Sequence, residues 1–407
     1  MGRMFWKSFL SALAMTGSLI LLHAQPTQGL VAYYSFDACD AMDETGNGAD
    51  GTISGAPECV CGVFGNALRM NGATDDIRFL GSFDLLFAGD FSICFYILPE
   101  SPSGIIDLIS KKEDCTTDNS LAIRYEAGSR MIRAELSESI LARGETKTTL
   151  PSDVCWQHIA WVRNGVTLFL YVNGVLADMV NTPGVLDISN NGVFSIANSP
   201  CLPNGEQRFA GRIDELRLYN RALTTAEVGD LYEPIDQIAT RDTFIFVGGS
   251  VPISVTRSCA DAFSWSPVNG VLTPVIAEPI ISPLQTETFT LTMDYPACVA
   301  TDTIRITVLD SSQVDCSDVF MPNAFTPNGD DLNDAFGISN KFFLGEFIAL
   351  EIYDRWGTQL FRGTAPEEKW DGTYLGEDAI PDTYLYKLYY SCNGTTQVRA
   401  GAFVLIK

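Results

Sequence analysis

Asn328, Asp330, Asp331, Asn333 and Asp334 place five oxygen-bearing side chains within seven residues, and Gly329 among them permits a sharp turn. Calcium takes about six to eight oxygen ligands, and alternating Asp and Asn on a short loop is how such sites are built. The same residues also build Asx-turn networks that cap a loop without metal, and no Glu follows at the expected downstream position. A second oxygen-rich loop runs from Asp43 through Glu44 and Asn47 to Asp50, punctuated by Gly46, Gly48 and Gly51. Asp214 and Glu215 are the tempting pair for glycosidase chemistry, which needs two carboxylates and no histidine. On a regular strand, however, adjacent residues face opposite sides and cannot flank one sugar bond. His158 lies in the run Gln157 to Val162, whose apolar and aromatic content suits a buried strand, so it reads as structural. No G-x-S-x-G, H-E-x-x-H or phosphate-loop string is present, which removes the serine hydrolases, zinc proteases and P-loop enzymes.

The chain that must position these groups has 407 residues and a formal charge of -24. That charge excludes a nucleic-acid partner, because phosphate binding needs a basic face. Hydrophobic residues make up 46% and charged residues 19%, enough to bury a sizeable core. Arg3 and Lys7, the apolar stretch from Phe9 to Leu22 and Ala24 before Gln25 read as a secretory signal peptide over residues 1–24. A membrane span needs roughly 20 apolar residues, so no anchor is expected in the mature chain. Export into an oxidising compartment makes disulfides the default for the eleven cysteines, since Cys59-Val60-Cys61 has almost no histidine nearby to complete a zinc site.

Short β-rich runs bounded by Gly, Asn, Asp and Pro fill three segments, and the fold class they predict is all-β: a jelly-roll sandwich followed by two smaller Ig-like sandwiches. The head, residues 25–234, carries the runs Leu30 to Phe36, Phe91 to Ile97, Gln157 to Val162 and Val166 to Val172, with tight turns at Arg163-Asn164-Gly165 and Asn173-Gly174. Thr224 and Glu227 have capping-box spacing, which predicts a short helix closing this segment before Glu233-Pro234. The middle segment, 235–311, has Cys259, Trp265 and Cys298 among its strands, an order that predicts a Cys259–Cys298 bridge packed on the indole, with pairing elsewhere as the alternative. The tail, 312–407, has only Cys316 and Cys392, which are expected to pair. Seven cysteines are left in the head, so one is free unless it pairs across segments, and Cys94 inside an apolar strand is the choice for the free thiol.

Five strings in the head, GLVAYYSFD (29–37), DETGNGADGT (43–52), GVFGNALRMN (62–71), residues 161–174 and RFAGRIDELRLYNRALTTAEVGDL (208–231), resemble the LamG-like, concanavalin A-like jelly-roll modules of secreted bacterial proteins. The resemblance implies a non-catalytic head that binds a polysaccharide or surface glycoprotein, with a structural calcium that would fall on Asp43, Asn47 and Asp50. Laminarinase-like enzymes on related sandwiches place their carboxylates on alternate strand positions, which Asp214 and Glu215 do not. The tail strings VFMPNAFTPNGDDLNDAF (319–336), IYDRWG (352–357), KWDG (369–372), IPDTYLY (380–386) and GAFVLIK (401–407) are similar to the gliding motility-associated C-terminal domain, the type B sorting domain of type IX secretion. Asp331 stands where the commoner string has Gly. The middle segment, with FSWSP at 263–267, is similar to PKD/Ig-like modules.

Together these imply a protein exported through the periplasm to the cell surface or beyond, with the type IX translocon and a glycan or glycoprotein as partners. The head is then an adhesion or nutrient-capture module and the middle a spacer. A structural surface component without a ligand is the alternative, and a laminarinase-like glycoside hydrolase the third reading.

Overall fold

The computed structural model describes residues 25–80, 83, 86–310, 319–329, 333–339, 346–392 and 394–406. It is all-β, and its contacts divide it into two compact units. The first holds residues up to Asp242 together with 250–282 and 288–305; the second holds 243–249, 283–287 and 306 onward.

Two eight-stranded sheets form the head. The first sheet runs Val175–Asn181, Thr167–Val172, Gln157–Asn164, Phe91–Pro99, Ala210–Tyr219, Asn66–Asn71 and Glu58–Cys61, with Leu30–Tyr34 also paired to Ala210–Tyr219. The second runs Ala142–Thr149, Met131–Ser139, Ser120–Glu126, Ile105–Lys111, Phe194–Ile196, Asp76–Phe79 and Thr52–Ser54, and Glu206–Arg208 joins it in parallel along Ile105–Lys111. Alternation decides what lies between them. On Phe91–Pro99 the residues Phe91, Ile93, Phe95 and Ile97 enter the main core, where they meet Trp161, Phe87, Phe194 and Ile123.

The opposite face of that strand is also dry. Cys94 joins Ala160, Val162, Tyr171 and Tyr219 in a second apolar cluster beneath Leu223, Val228 and Leu231. The helix Thr225–Leu231 supplies that cover, and both halves of its capping box form, Thr224 accepting from the Glu227 N–H and Glu227 from the Thr224 N–H. Cys94 is therefore the free, buried thiol expected, and burial pushes it up to about 12. His158 sits in the same layer against the Tyr96 ring, and burial lowers it to about 3, so it is a neutral packing group.

The Cys259–Cys298 pairing is overturned. Cys259 bonds Cys61 and Cys298 bonds Cys155, so both cysteines of the middle segment go to the head. The physical reason is where their backbone lies. Arg257 donates to the carbonyls of Gly62 and Gly65 at 2.9 and 2.7 Å, which carries Cys259 to the turn after Cys61. Thr301 N–H donates to the Asp153 carbonyl at 3.0 Å, which brings Cys298 beside Cys155. Trp265 is buried as expected, but its Nε1–H is held by the Ile276 carbonyl and no bridge of its own segment backs it. The middle strands Ala262–Ser266 and Glu287–Tyr295 are thus fastened to the head rather than spacing it. The head's odd count resolves with them: Cys39–Cys59 and Cys115–Cys201 pair within it, and two cysteines leave it.

In the second unit, the tail is a five-stranded sheet, Ala324–Phe325, Thr395–Leu405, Thr383–Cys392, Glu346–Tyr353 and Gln359–Gly363, with a small ribbon, Thr373–Tyr374 and Glu377–Asp378. Its core is aromatic: Trp370, Phe325, Phe336, Tyr384 and Phe403. Cys316 lies outside the described residues, and the expected bridge to Cys392 with it.

Candidate functional site

Outward-facing residues of the second sheet carry charge of both signs. Asp107, Arg124 and Arg133 are register partners on three successive strands, and Glu135 lies one step along. Arg124 bridges Glu135 at 3.2 Å and Glu206 at 2.9 Å, while Arg133 bridges Glu126 at 2.7 Å and Glu145 at 3.1 Å. At one end Asp76 holds Arg78 and Arg208.

The segment from Asn198 to Arg208 is anchored by Cys115–Cys201 and ends in the strand that pairs along Ile105–Lys111. Asp107, the register partner of Arg208, is fully buried, and burial followed by the neighbouring Glu206 carboxylate holds its carboxyl well above the usual range. Glu206 goes the other way: burial would raise it, but Asp107, Lys112, Arg124 and a 2.9 Å hydrogen bond from Ser199 outweigh that. The two neighbouring carboxyls thus shift in opposite directions, Asp107 upward and Glu206 downward. Lys112, buried and 3.9 Å from Glu206, is depressed by desolvation and then by Arg124.

Beside this cluster opens a cleft of about 470 Å³ lined by Lys112, Glu113, Asn191, Gly192, Val193, Ser195, Asn198, Ser199 and Pro200. Its walls are pre-formed. Glu113 accepts from the Asn191 N–H at 2.7 Å, the Ser195 hydroxyl donates to the Asn198 carbonyl at 2.6 Å, and Lys111 Nζ donates to the carbonyls of Asn190 and Gly192. Amide, hydroxyl, carboxylate and ammonium groups converge there, the inventory that binds sugar hydroxyls. Among the described residues of the head no Phe, Tyr or Trp is exposed, so no ring-stacking platform accompanies it.

Asp214 and Glu215 lie on the first sheet, and their strand is not regular. The register shifts between Asp214 and Arg217, and Glu215 has a left-handed backbone at φ 56°, a β-bulge. Both carboxyls turn into the protein as a result. Asp214 accepts from the N–H groups of Val63, Phe64 and Glu215, yet burial and then Glu215 push it up to about 9. Glu215 accepts from the Tyr33 hydroxyl at 3.0 Å and pairs with Arg217, whose guanidinium stacks on the Tyr33 ring. These carboxyls are buried and engaged by Val63, Phe64, Tyr33 and Arg217.

In the two calcium candidates, the described side chains hydrogen-bond largely to backbone. Asp43 accepts from Tyr33 N, Thr45 N, Thr45 Oγ1 and Ala49 N, Asp50 accepts from Asp43 N, and the Asn47 amide donates to the Val31 carbonyl. These donors account for why Asp43 is held below the usual carboxylate range despite burial. The loop is thus built as a hydrogen-bonded turn. In the tail, Asp334 accepts from the N–H groups of Asn328 and Gly329, and the Asn333 carbonyl accepts from Thr326. Asp330 and Asp331 lie outside the described residues. Among the described residues no three His, Cys, Asp or Glu side chains are grouped to hold a metal.

The cleft was not singled out from sequence. Its parts come from two stretches some 80 residues apart in the chain, and the available signal was the Lys111-Lys112-Glu113 run ending an apolar strand that already contains Asp107.

Residues 71–229 match the family described as the concanavalin A-like lectin/glucanases superfamily. The class is thus a lectin-like β-sandwich, and residues 319–406 match the CHU_C type IX secretion signal domain. A type IX signal sends a protein to the cell surface or outside, and that is where this chain belongs. Among the described residues no helix is long and apolar enough to cross a membrane. Among solved structures, the chain is similar to domain 4 of AbnA, a GH43 extracellular arabinanase from Geobacillus stearothermophilus in complex with arabinotriose, at 26% identity and TM-score 0.41 over 50% of this chain and 98% of that one. It is also similar to the binding domain of botulinum neurotoxin serotype D/C, at 9% identity and TM-score 0.44 over 93% and 79%. The binding domain of Paraclostridial Mosquitocidal Protein 1 follows at 14% identity and TM-score 0.44 over 92% and 87%. No curated protein matches the chain.

Proposed function

We propose that this is an exported carbohydrate-binding protein whose head takes a glycan in the cleft beside Lys112, for adhesion or nutrient capture. The observation that carries it is the convergence of Glu113, Asn191, Asn198 and Ser199 at a pre-formed cleft on a lectin-like sandwich. Recognition there is by hydrogen bonds to hydroxyls, because the head offers no exposed ring for stacking. The Asp107 and Glu206 carboxyls support binding and not hydrolysis: Asp107 is fully buried, and Glu206 is engaged by Lys112 and Arg124 and serves to hold them in place.

The test is retention of the purified chain on a panel of polysaccharides and glycoproteins, with calcium and again with a chelator. Binding that falls at least about tenfold, or 1.4 kcal/mol, in Asn198→Ala and Glu113→Ala supports the cleft. Loss with chelator would add calcium at the Asp43 or Asn328 loops. Failure of the folded protein on the whole panel would favour a structural surface component, and release of reducing sugar would favour an enzyme.

A further inference from the structure

The tail carries an exposed apolar cluster that its fold does not need. Trp356 is 75% exposed, Leu375 87% and Ile380 60%. Trp356 and Ile380 line a groove of about 230 Å³ together with Asp354, Tyr374, Glu377 and Asp378, and Leu375 follows Tyr374 at its edge. That volume is below the usual range for small-molecule pockets, roughly 300 Å³ and up, and suits inserted side chains.

The cluster is also held in place. Asp354 accepts from the N–H groups of Trp356 and Thr358 at 2.9 and 2.7 Å, which fixes the turn that presents the indole. Arg355 stacks on Trp356 at 4.7 Å and is tied to Asp382, which holds the indole where it lines the groove. Leu375 occupies the tip of the ribbon, in the two-residue turn Leu375-Gly376 whose positive φ angles of 54° and 85° the hairpin requires, and this holds its side chain out at the tip. A rigid Trp flanked by exposed aliphatic residues has the composition of a protein-docking hot spot. The lining residues that bear charge are all acidic: Asp354, Glu377 and Asp378.

We infer that this groove is the surface by which the tail is read during export, and that its occupant is a protein segment presenting an apolar side chain next to a lysine or arginine. The apolar side chain fills the groove against Trp356 and Ile380, with Leu375 at the rim, and the basic one meets Glu377. A glycan would use the indole but gains nothing from Leu375 and Ile380 standing out beside it, so it becomes an outcome of the test. The inference rests on the reading of residues 319–406 as an export signal.

In the native host, export of the full chain is compared for Trp356→Ala, Leu375→Ser, Glu377→Lys and Val398→Ser, the last an exposed position outside the groove. The expected result is at least a tenfold drop in exported protein for the first three, no change for Val398→Ser, and unchanged unfolding midpoints for all four purified proteins. Normal export of Trp356→Ala and Leu375→Ser, with export blocked by deleting 319–407, overturns the groove and leaves the export signal standing. Normal export of the deletion overturns both. Normal export of Glu377→Lys beside failure of Trp356→Ala overturns the basic partner. Failure of Trp356→Ala with normal Leu375→Ser overturns the protein segment in favour of a glycan stacked on the indole.

Discussion

On the head, the outer face of the second sheet is a lattice of paired ions with no exposed ring; on the tail, an indole stands three-quarters exposed at a turn whose own acid is occupied by backbone donors. The ion lattice is cheap to hydrate and offers hydrogen bonds at fixed positions, which favours a polar ligand that exchanges water for hydroxyls. The exposed indole keeps apolar area in water, which favours burial by a partner. One chain thus presents two kinds of contact. Each sits on a β framework, and the difference lies in what the loops spend their polar groups on.

That contrast can be broken most severely from inside. Arg217→Met leaves Glu215 buried without its cation and should cost about 3–5 kcal/mol in the head, read as a lower urea midpoint. The tail's equivalent is Trp370→Ala, which empties an aromatic core held by a hydrogen bond to the Thr373 carbonyl, and about 3–5 kcal/mol should be lost there too.

Smaller and pH-dependent effects follow. The Asp214 carboxyl stays protonated in the fold up to about 9 but ionises near 3.8 once unfolded, so its contribution is full below pH 4 and is lost as pH rises toward 9. Asp214→Asn should flatten that part of the stability profile, where the slope of one such group reaches about 1.4 kcal/mol per pH unit. His158 has the opposite sign. Its neutral ring contributes fully above pH 6.5 and loses that contribution as pH falls toward 3, so His158→Phe should unfold at lower pH than the wild type in an acid titration followed by circular dichroism. The smallest effect is the sharpest for the comparison: Trp356→Ala should shift stability by no more than about 0.5 kcal/mol, because a surface ring adds little to the fold it stands on.

Local rules were legible and long-range ones were not. The runs at 91–97 and 157–162 became strands because alternation and turn residues act over a few positions, and the Thr224–Glu227 cap formed because both halves lie in one turn. Cys94 was readable as a free thiol because an apolar strand buries whatever it contains. The bridges of Cys259 and Cys298 were not readable, since their partners are fixed by which carbonyls Arg257 and Thr301 reach across segments. At Asp214 the assumption of a regular strand failed at a one-residue bulge, which no spacing announces. The cleft beside Lys112 was hidden for the first reason: its acid, its cation and its amides meet only after the sheet has formed.

The two bridges from head to middle segment also decide how the molecule comes apart. Cys61 and Cys155 lie before any cut made between residues 202 and 258, and Cys259 and Cys298 lie after it. A protease that nicks that stretch therefore severs the chain without releasing the head, giving two bands on a reducing gel and one without reductant. At a cell surface, shedding the head by such a cut takes a reductant as well as a protease.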